Sequence, residues 1–240
     1  MKGKNMIYCI SDIHGMYDKF IELLEKIGFS DSDTLYILGD VLDRGPQPIT
    51  TLLKIMECPN MIMLAGNHEI MALPCLRFLT QDVTEDSINN INDDILESLM
   101  LWDENGSETT IKEFRKLPME KRSEILDFFL EMSVYEELNI GTENYILVHA
   151  GLHNFSPERP INEYYLEELI WERPDYSVPY FTDRYVVTGH TPTRFIECNS
   201  KPDEIFINSN HIAIDCGAYL PNGKLGAICL DTGECFYTCA

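Results

Sequence analysis

The chain has 240 residues, 45% of them hydrophobic and 10% aromatic, and a net charge of −22 from 18 basic and 40 acidic residues. That charge repels phosphate backbones and anionic lipid, which argues against a nucleic-acid or membrane partner. No apolar run reaches the roughly 18 residues that span a bilayer, and residues 1–10 hold no signal-peptide core, so a cytoplasmic protein is expected.

The eight cysteines show no CxxC spacing, and Cys9, Cys216 and Cys229 lie in apolar runs. Buried free thiols in a reducing compartment are predicted. Cys235 and Cys239 are read as strand positions rather than metal ligands.

Met6–Ile10 predicts a short buried strand that runs into Ser11-Asp12-Ile13-His14-Gly15. Phe20, Leu23, Leu24 and Ile27 then recur at helical spacing from Tyr17 until Gly28 stops the helix. Leu35–Leu38 predicts a second strand, followed by Gly39-Asp40-Val41-Leu42-Asp43-Arg44-Gly45. Pro46 and Pro48 open a second helix through about Met56. Met61–Leu64 predicts a third strand, and Gly66-Asn67-His68-Glu69 follows it as a polar loop. This βαβαβ run implies parallel strands whose polar ends meet at one sheet edge.

Residues 70–133 read as a helical insert within one domain spanning 1–240. Ile88, Ile91, Ile95, Leu99 and Trp102 form an amphipathic stripe. From Leu79 to Thr110 there are nine acidic residues and no Lys or Arg. The last third reads as strands. Val134–Ile140 and Tyr145–Val148 form a hairpin around residues 141–144, and Tyr185–Val187 follows. Short strands are also predicted at 205–207, 211–215, 225–230 and 235–238.

Five apolar runs end in small polar clusters: Asp12/His14, Asp40/Asp43/Arg44, Asn67/His68, His149 and His190. Four of the six histidines fall there; His153 and His211 do not. Mixed carboxylate, amide and imidazole ligands suit Mn, Fe, Ni, Co or Zn and not a thiolate site. There are ligands enough for two ions sharing one carboxylate, an arrangement that clamps a phosphoryl group around a bridging hydroxide.

SDIHG, GDVLDRG, GNHE, HAG and GH, in that order, resemble the calcineurin-like metallophosphoesterases of the phosphoprotein phosphatase family. The resemblance is nearest to the small bacterial and phage-type serine/threonine phosphatases. It implies an α/β fold, a β-sandwich of mixed sheets flanked by helices, with a dimetal site at strand C-terminal ends. It implies that Asp12 and His14 bind one metal, that Asp40 bridges, and that Asn67, His149 and His190 bind the other. Mn is the first choice of metal, with Fe, Zn, Ni or Co as the other candidates. Arg44 and Arg173, with Asn67 and His68, would bind the substrate phosphate; Arg173 follows a Trp as in the bacterial and phage-type members. His68 would be the general acid, with Asp43 as its carboxylate partner. Ser11 departs from the family, which usually has Gly there.

The activity implied is hydrolysis of phosphoserine or phosphothreonine, and of phosphotyrosine as a further candidate, in proteins. A symmetric diadenosine tetraphosphate hydrolase is the alternative; a metal-bound binding module without turnover is the third reading. Tyr17, in HGMY, points to the protein-directed branch. The stretch Ile214–Tyr219 resembles bacterial members, and no regulatory subunit is expected. Charge favours the phosphopeptide as well. The basic residues near the motifs are few (Arg159, Arg173, Arg184, Arg194 and Lys201), whereas a tetraphosphate brings about four negative charges.

Overall fold

The computed structural model describes residues 5–81 and 93–240. Its first sheet has the order β10-β9-β1-β2-β3. Strands β1 (Ile7–Ile10), β2 (Thr34–Ile37) and β3 (Met61–Met63) run parallel, with Ile10 opposite Ile37 and Ile37 opposite Met63. Helices α1 (Tyr17–Ile27) and α2 (Pro48–Met56) make the two crossovers. Gly28 caps α1 at φ 62°, where glycine carries no Cβ penalty. β9 (Gly226–Cys229) pairs antiparallel with β1, and β10 (Cys235–Tyr237) pairs with β9.

The second sheet has the order β4-β5-β6-β8-β7. β4 (Tyr135–Ile140) and β5 (Glu143–Val148) form the hairpin, with Ile140 opposite Glu143. Its turn is therefore Gly141-Thr142, tighter than the four residues expected. β6 (Tyr185–Thr188) lies parallel between β5 and β8 (His211–Ala213), and β7 (Phe206–Asn208) closes the edge.

Strand alternation assigns the core. Tyr8, Ile10, Leu35 and Ile37 pack with helices α1 and α2 through Phe20, Leu23 and Leu52. Cys9, Tyr36 and Leu38 face the other way, onto Leu147, Val187 and Ile212 of the second sheet. The outer face of that sheet is covered by Leu169 and Ile170 of α7 (Leu166–Ile170). The two mixed sheets thus pack face to face, with helices outside.

Between β3 and β4 in chain order lie α3 (Asn67–Leu79), α4 (Asp93–Glu104), α5 (Glu108–Phe114) and α6 (Met119–Glu131). Helix α3 corrects one expectation. Asn67 and His68 are the first residues of a helix rather than members of a loop, because the Glu69 carboxylate reaches back to accept the N-cap Gly66 N–H (3.1 Å) and so satisfies a donor at the helix start. The stripe positions Ile88 and Ile91 lie outside the described residues; Trp102 of the same stripe is fully buried. All eight cysteines are free; Cys9, Cys75, Cys216 and Cys229 are buried, while Cys198 and Cys239 are exposed. Among the described residues no helix is long and apolar enough to cross a membrane.

Candidate metal centre and phosphate cleft

Each polar cluster sits just past a strand, and the loops are stitched together by backbone. Asp12 N–H donates to Gly39 O (3.1 Å), His14 N–H to Asp40 O (2.9 Å) and Gly189 N–H to His149 O (2.7 Å). The approach is so close that a Cβ on Gly189 would stand 2.2 Å from Asp12 Oδ2, and one on Gly66 2.3 Å from Asp40 Oδ1. The loops pay in backbone strain. Eleven described non-glycine residues have positive φ, and six of them are Asp12, His14, Asp40, Asp43, Arg44 and His190. Such strain persists only where surrounding structure over-determines it, and it gathers at functional sites.

Asp40 stands at the centre. Its Oδ2 lies 3.7 Å from His14 Nε2, and its Oδ1 lies 3.5 Å from His149 Nε2. One carboxylate therefore faces two groups of ligand atoms with its two oxygens. On the first side Asp12 Oδ1 is 3.9 Å from His14 Nε2. On the second, His149 Nε2 is 2.9 Å from Asn67 Oδ1 and 3.3 Å from His190 Nδ1. Two sets, His14/Asp40/His68 and Asp40/His149/His190, each bring ligand atoms within 4.8 Å of one another.

The tautomers suit a metal. His14 Nδ1–H donates to Leu42 O (2.8 Å), and His149 Nδ1–H donates to Leu38 O (2.6 Å). Each Nε2 is thereby left as a lone pair aimed inward. Burial, and then the nearby His68 and Arg44, hold His14 well below the ordinary histidine pKa. Burial, and then His149 and Arg173, push His190 down to about 2. Both rings are neutral at neutral pH, as metal ligation requires. Burial raises Asp40 well above the ordinary carboxylate range, and Asp12 and Glu69 add to this against His68. Buried acceptors facing one another repel unless a cation lies among them, so the donor set fits divalent ions.

Arg44 and His68 complete the floor. Arg44 Nη1 is 2.8 Å from His14 Nε2, and Nη2 is 2.9 Å from His68 Nε2. His68 Nδ1–H donates to Asp43 Oδ2 at 2.6 Å. Burial pulls the His68 pKa down, but Asp40's charge and Asp43's hydrogen bond outweigh it, so the pKa lies above the ordinary value. Arg44 also lies 4.4 Å over the Tyr219 ring. A cleft of about 140 Å³ opens above, lined by Asp40, Asn67, His190, Arg44, Arg173 and Trp171. Arg173 thus shares a cleft with Arg44, 129 residues earlier in the chain. His153 is half exposed and pairs with Glu172; His211 is buried in β8, and neither joins the cluster.

Three side chains at the site escape sequence reading. Glu69 Oε2 accepts Asp40 N–H (2.8 Å) and its Oε1 accepts Val41 N–H (2.9 Å), so it anchors the Asp40 turn. Trp102 Nε1–H donates to Asp43 Oδ2 (2.8 Å), and Thr110 Oγ–H donates to Asp43 Oδ1 (2.6 Å). Glu69 has a signal, three residues after Gly66. Trp102 reads as a core residue, which it also is.

Comparison with known proteins agrees with this geometry. A bis(5'-nucleosyl)-tetraphosphatase (symmetrical) of Delftia acidovorans is 38% identical over 89 residues, covering 36% of this chain and 32% of that protein. Its counterpart from Acidovorax ebreus is 28% identical over 148 residues, covering 61% of this chain and 44% of its own. The chain thus spans less than half the length of these curated relatives. A crystal structure of a candidate diadenosine tetraphosphatase superposes with a TM-score of 0.66 at 18% identity, over 99% of this chain and 95% of that one. At that identity the likeness speaks for the fold alone. The calcineurin-like phosphoesterase model matches residues 6–216, and the chain belongs to that family of metal-dependent phosphoesterases.

Proposed function

We propose that the protein hydrolyses dinucleoside tetraphosphates symmetrically, adding water across the central phosphoanhydride to give two nucleoside diphosphates. The relatives carry this reading: the two compared above are symmetrical tetraphosphatases. The phosphoprotein reading has the weaker support, although the charge of the chain favours it. Metal ions can supply the compensation that side chains do not. Arg159, Arg184 and Arg194 are each tied to an acid, Glu168, Asp183 and Asp203, and do not serve the cleft.

Asp12, His14 and Asp40 would hold one divalent ion, and Asp40, Asn67, His149 and His190 the other. When bound, such a pair polarises the phosphoryl group and lowers the pKa of water at the site. The chain's own residues do the rest. Arg44 leaves His14 and His68 to grip phosphate oxygens, and Arg173 grips them from the opposite wall, each presenting a planar fork. His68, oriented through Nδ1 by Asp43, gives a proton at Nε2 to the departing oxygen. Helices α4 and α5 of the insert 70–133 brace Asp43 through Trp102 and Thr110, as part of the same catalytic domain.

The test is kcat/KM for diadenosine tetraphosphate and for a phosphoserine peptide, measured side by side in Mn²⁺ with product analysis. Tenfold or greater preference for the dinucleotide, about 1.4 kcal/mol at the transition state, with ADP as the only nucleotide product, is expected. Preference for the peptide, or release of AMP and ATP, contradicts the reading.

A further inference from the structure

Beside the metal cleft lies a second cavity of about 450 Å³, lined by Arg173, Asp175, Tyr176, Phe195, Ile196 and Glu197 among others. Arg173 and Phe195 line both cavities, so the two spaces adjoin at these side chains. Phe195 is 63% exposed. Trp171, 42% exposed, lines the metal cleft as well. Three aromatic residues stand out as exposed among the described residues, Tyr165, Trp171 and Phe195, and two of them rim this one region. Among the described residues no carboxylate lies within ion-pair distance of Arg173, whereas Arg159, Arg184 and Arg194 all have such a partner.

The two cavities differ in charge. Arg173 lines both of them. Asp175 and Glu197 line only the second. Asp175 is ionised, its pKa lowered by hydrogen bonds from the hydroxyl and the N–H of Ser177. A further phosphate is repelled there. A neutral group with hydroxyl donors and a flat aromatic face is not, because hydroxyls donate to carboxylates and the ring stacks on Phe195.

We propose that this cavity is a nucleoside subsite, in which Phe195 stacks the base and Asp175 and Glu197 face the sugar hydroxyls, while Arg173 holds the phosphate that leads into the metal cleft. The assignment rests on the proposed dinucleotide reading for its biological meaning. Its test does not depend on dinucleotide turnover.

The probes are methylenediphosphonate and its adenosine ester, α,β-methylene-ADP, which carry the same non-hydrolysable diphosphonate with and without a nucleoside. Each is measured as an inhibitor of p-nitrophenyl phosphate hydrolysis by the metal-loaded protein, with metal in excess over chelator. The wild type is expected to bind the adenosine ester at least tenfold more tightly, about 1.4 kcal/mol. Phe195→Ala should shrink that ratio below threefold, and Phe195→Trp should restore it. Because Phe195 is exposed, both variants are expected to fold, and the ratio cancels any change shared by the two probes. A wild-type ratio near one, or a ratio that survives Phe195→Ala, overturns the subsite. Failure to cleave diadenosine tetraphosphate while the ratio behaves as expected would overturn the proposed reaction and leave the subsite standing.

Discussion

The two sides of Asp40 differ in how their charge is balanced. On the first side, facing Asp12 and His14, the guanidinium of Arg44 reaches His14 Nε2 at 2.8 Å. On the second side, His149 Nε2 faces Asn67 Oδ1, His190 Nδ1 and Asp40 Oδ1 at 2.9, 3.3 and 3.5 Å. His149's one N–H is turned away to Leu38 O, 2.6 Å off. One half of the site therefore carries a cation of its own that must leave before an ion enters. In the other, among the described residues, no guanidinium bonds a ligand atom. The second half should bind its ion more tightly, and the first should be the one that exchanges.

The largest effect is expected where the halves join. Asp40→Asn keeps an oxygen to accept the His68 N–H but removes the charge shared between the sides. Turnover of an aryl phosphate should fall about a thousandfold, roughly 4 kcal/mol at the barrier. A fall of less than tenfold would separate Asp40 from the chemistry.

Arg44→Ala sharpens the contrast, because its two consequences have opposite sign. Losing a charged phosphate contact should lower kcat/KM by about 10- to 100-fold, from the roughly 1.5–3 kcal/mol of such bonds. Removing the competing guanidinium should at the same time tighten the weaker of two Mn²⁺ binding steps in a calorimetric titration. Weaker binding at both steps would show that Arg44 does not compete with an ion.

Trp102→Phe probes the helices that brace the site. It leaves Asp43 Oδ2 with His68 but strips the indole donor from a buried carboxylate, which costs about 1–3 kcal/mol of stability. The positioning role reads out separately from stability. The deficit in kcat should be greater for phenyl phosphate than for p-nitrophenyl phosphate, since the poorer leaving group relies more on a well-oriented His68. Equal deficits would make Trp102 a core residue only.

How much of this was legible in the sequence depends on where each residue's signal lies. Asp12, Asp40, His149 and His190 each follow an apolar run, so strand ends announced them. Which face each residue takes was not legible, because Met6–Ile10 is apolar throughout and nothing in it separates Tyr8, turned to the helices, from Cys9, turned to the second sheet. The hairpin turn was placed two residues too long, because Glu143 and Asn144 are polar and read as turn although both sit in β5. Thr110 and Trp102 were opaque for a physical reason. Their bonds to Asp43 cross 67 and 59 residues, and only the packed fold brings those ends together. Net charge weighed the reading toward a phosphopeptide, whereas the relatives support the dinucleotide alternative; net charge is a property of the whole surface and says little about a single cleft.

The smallest effect lies outside the site, at His211. Burial, against a bond to Val178 O and the charge of Asp175, lowers its pKa below the ordinary value near 6.5. Its Nδ1 is buried without a partner, and the rings of Tyr176 and Tyr180 pack on it. Below pH 6.5 the unfolded chain therefore binds a proton that the folded chain resists, and stability falls as pH drops from 6.5 toward the folded pKa. His211→Gln should flatten the decline of Tm between pH 6.5 and 5 by about 2–4 °C. Parallel declines in the two proteins would remove His211 from the pH response.

Native mass spectrometry of the Mn²⁺-loaded chain tests most directly whether one carboxylate joins two ion sites. The wild type should carry two ions. His14→Ala should carry one, held on the His149 side, and His149→Ala should carry at most one and lose it at lower chelator concentration. A wild type that saturates at a single ion, or a His14→Ala chain that keeps two, would contradict the two-sided centre.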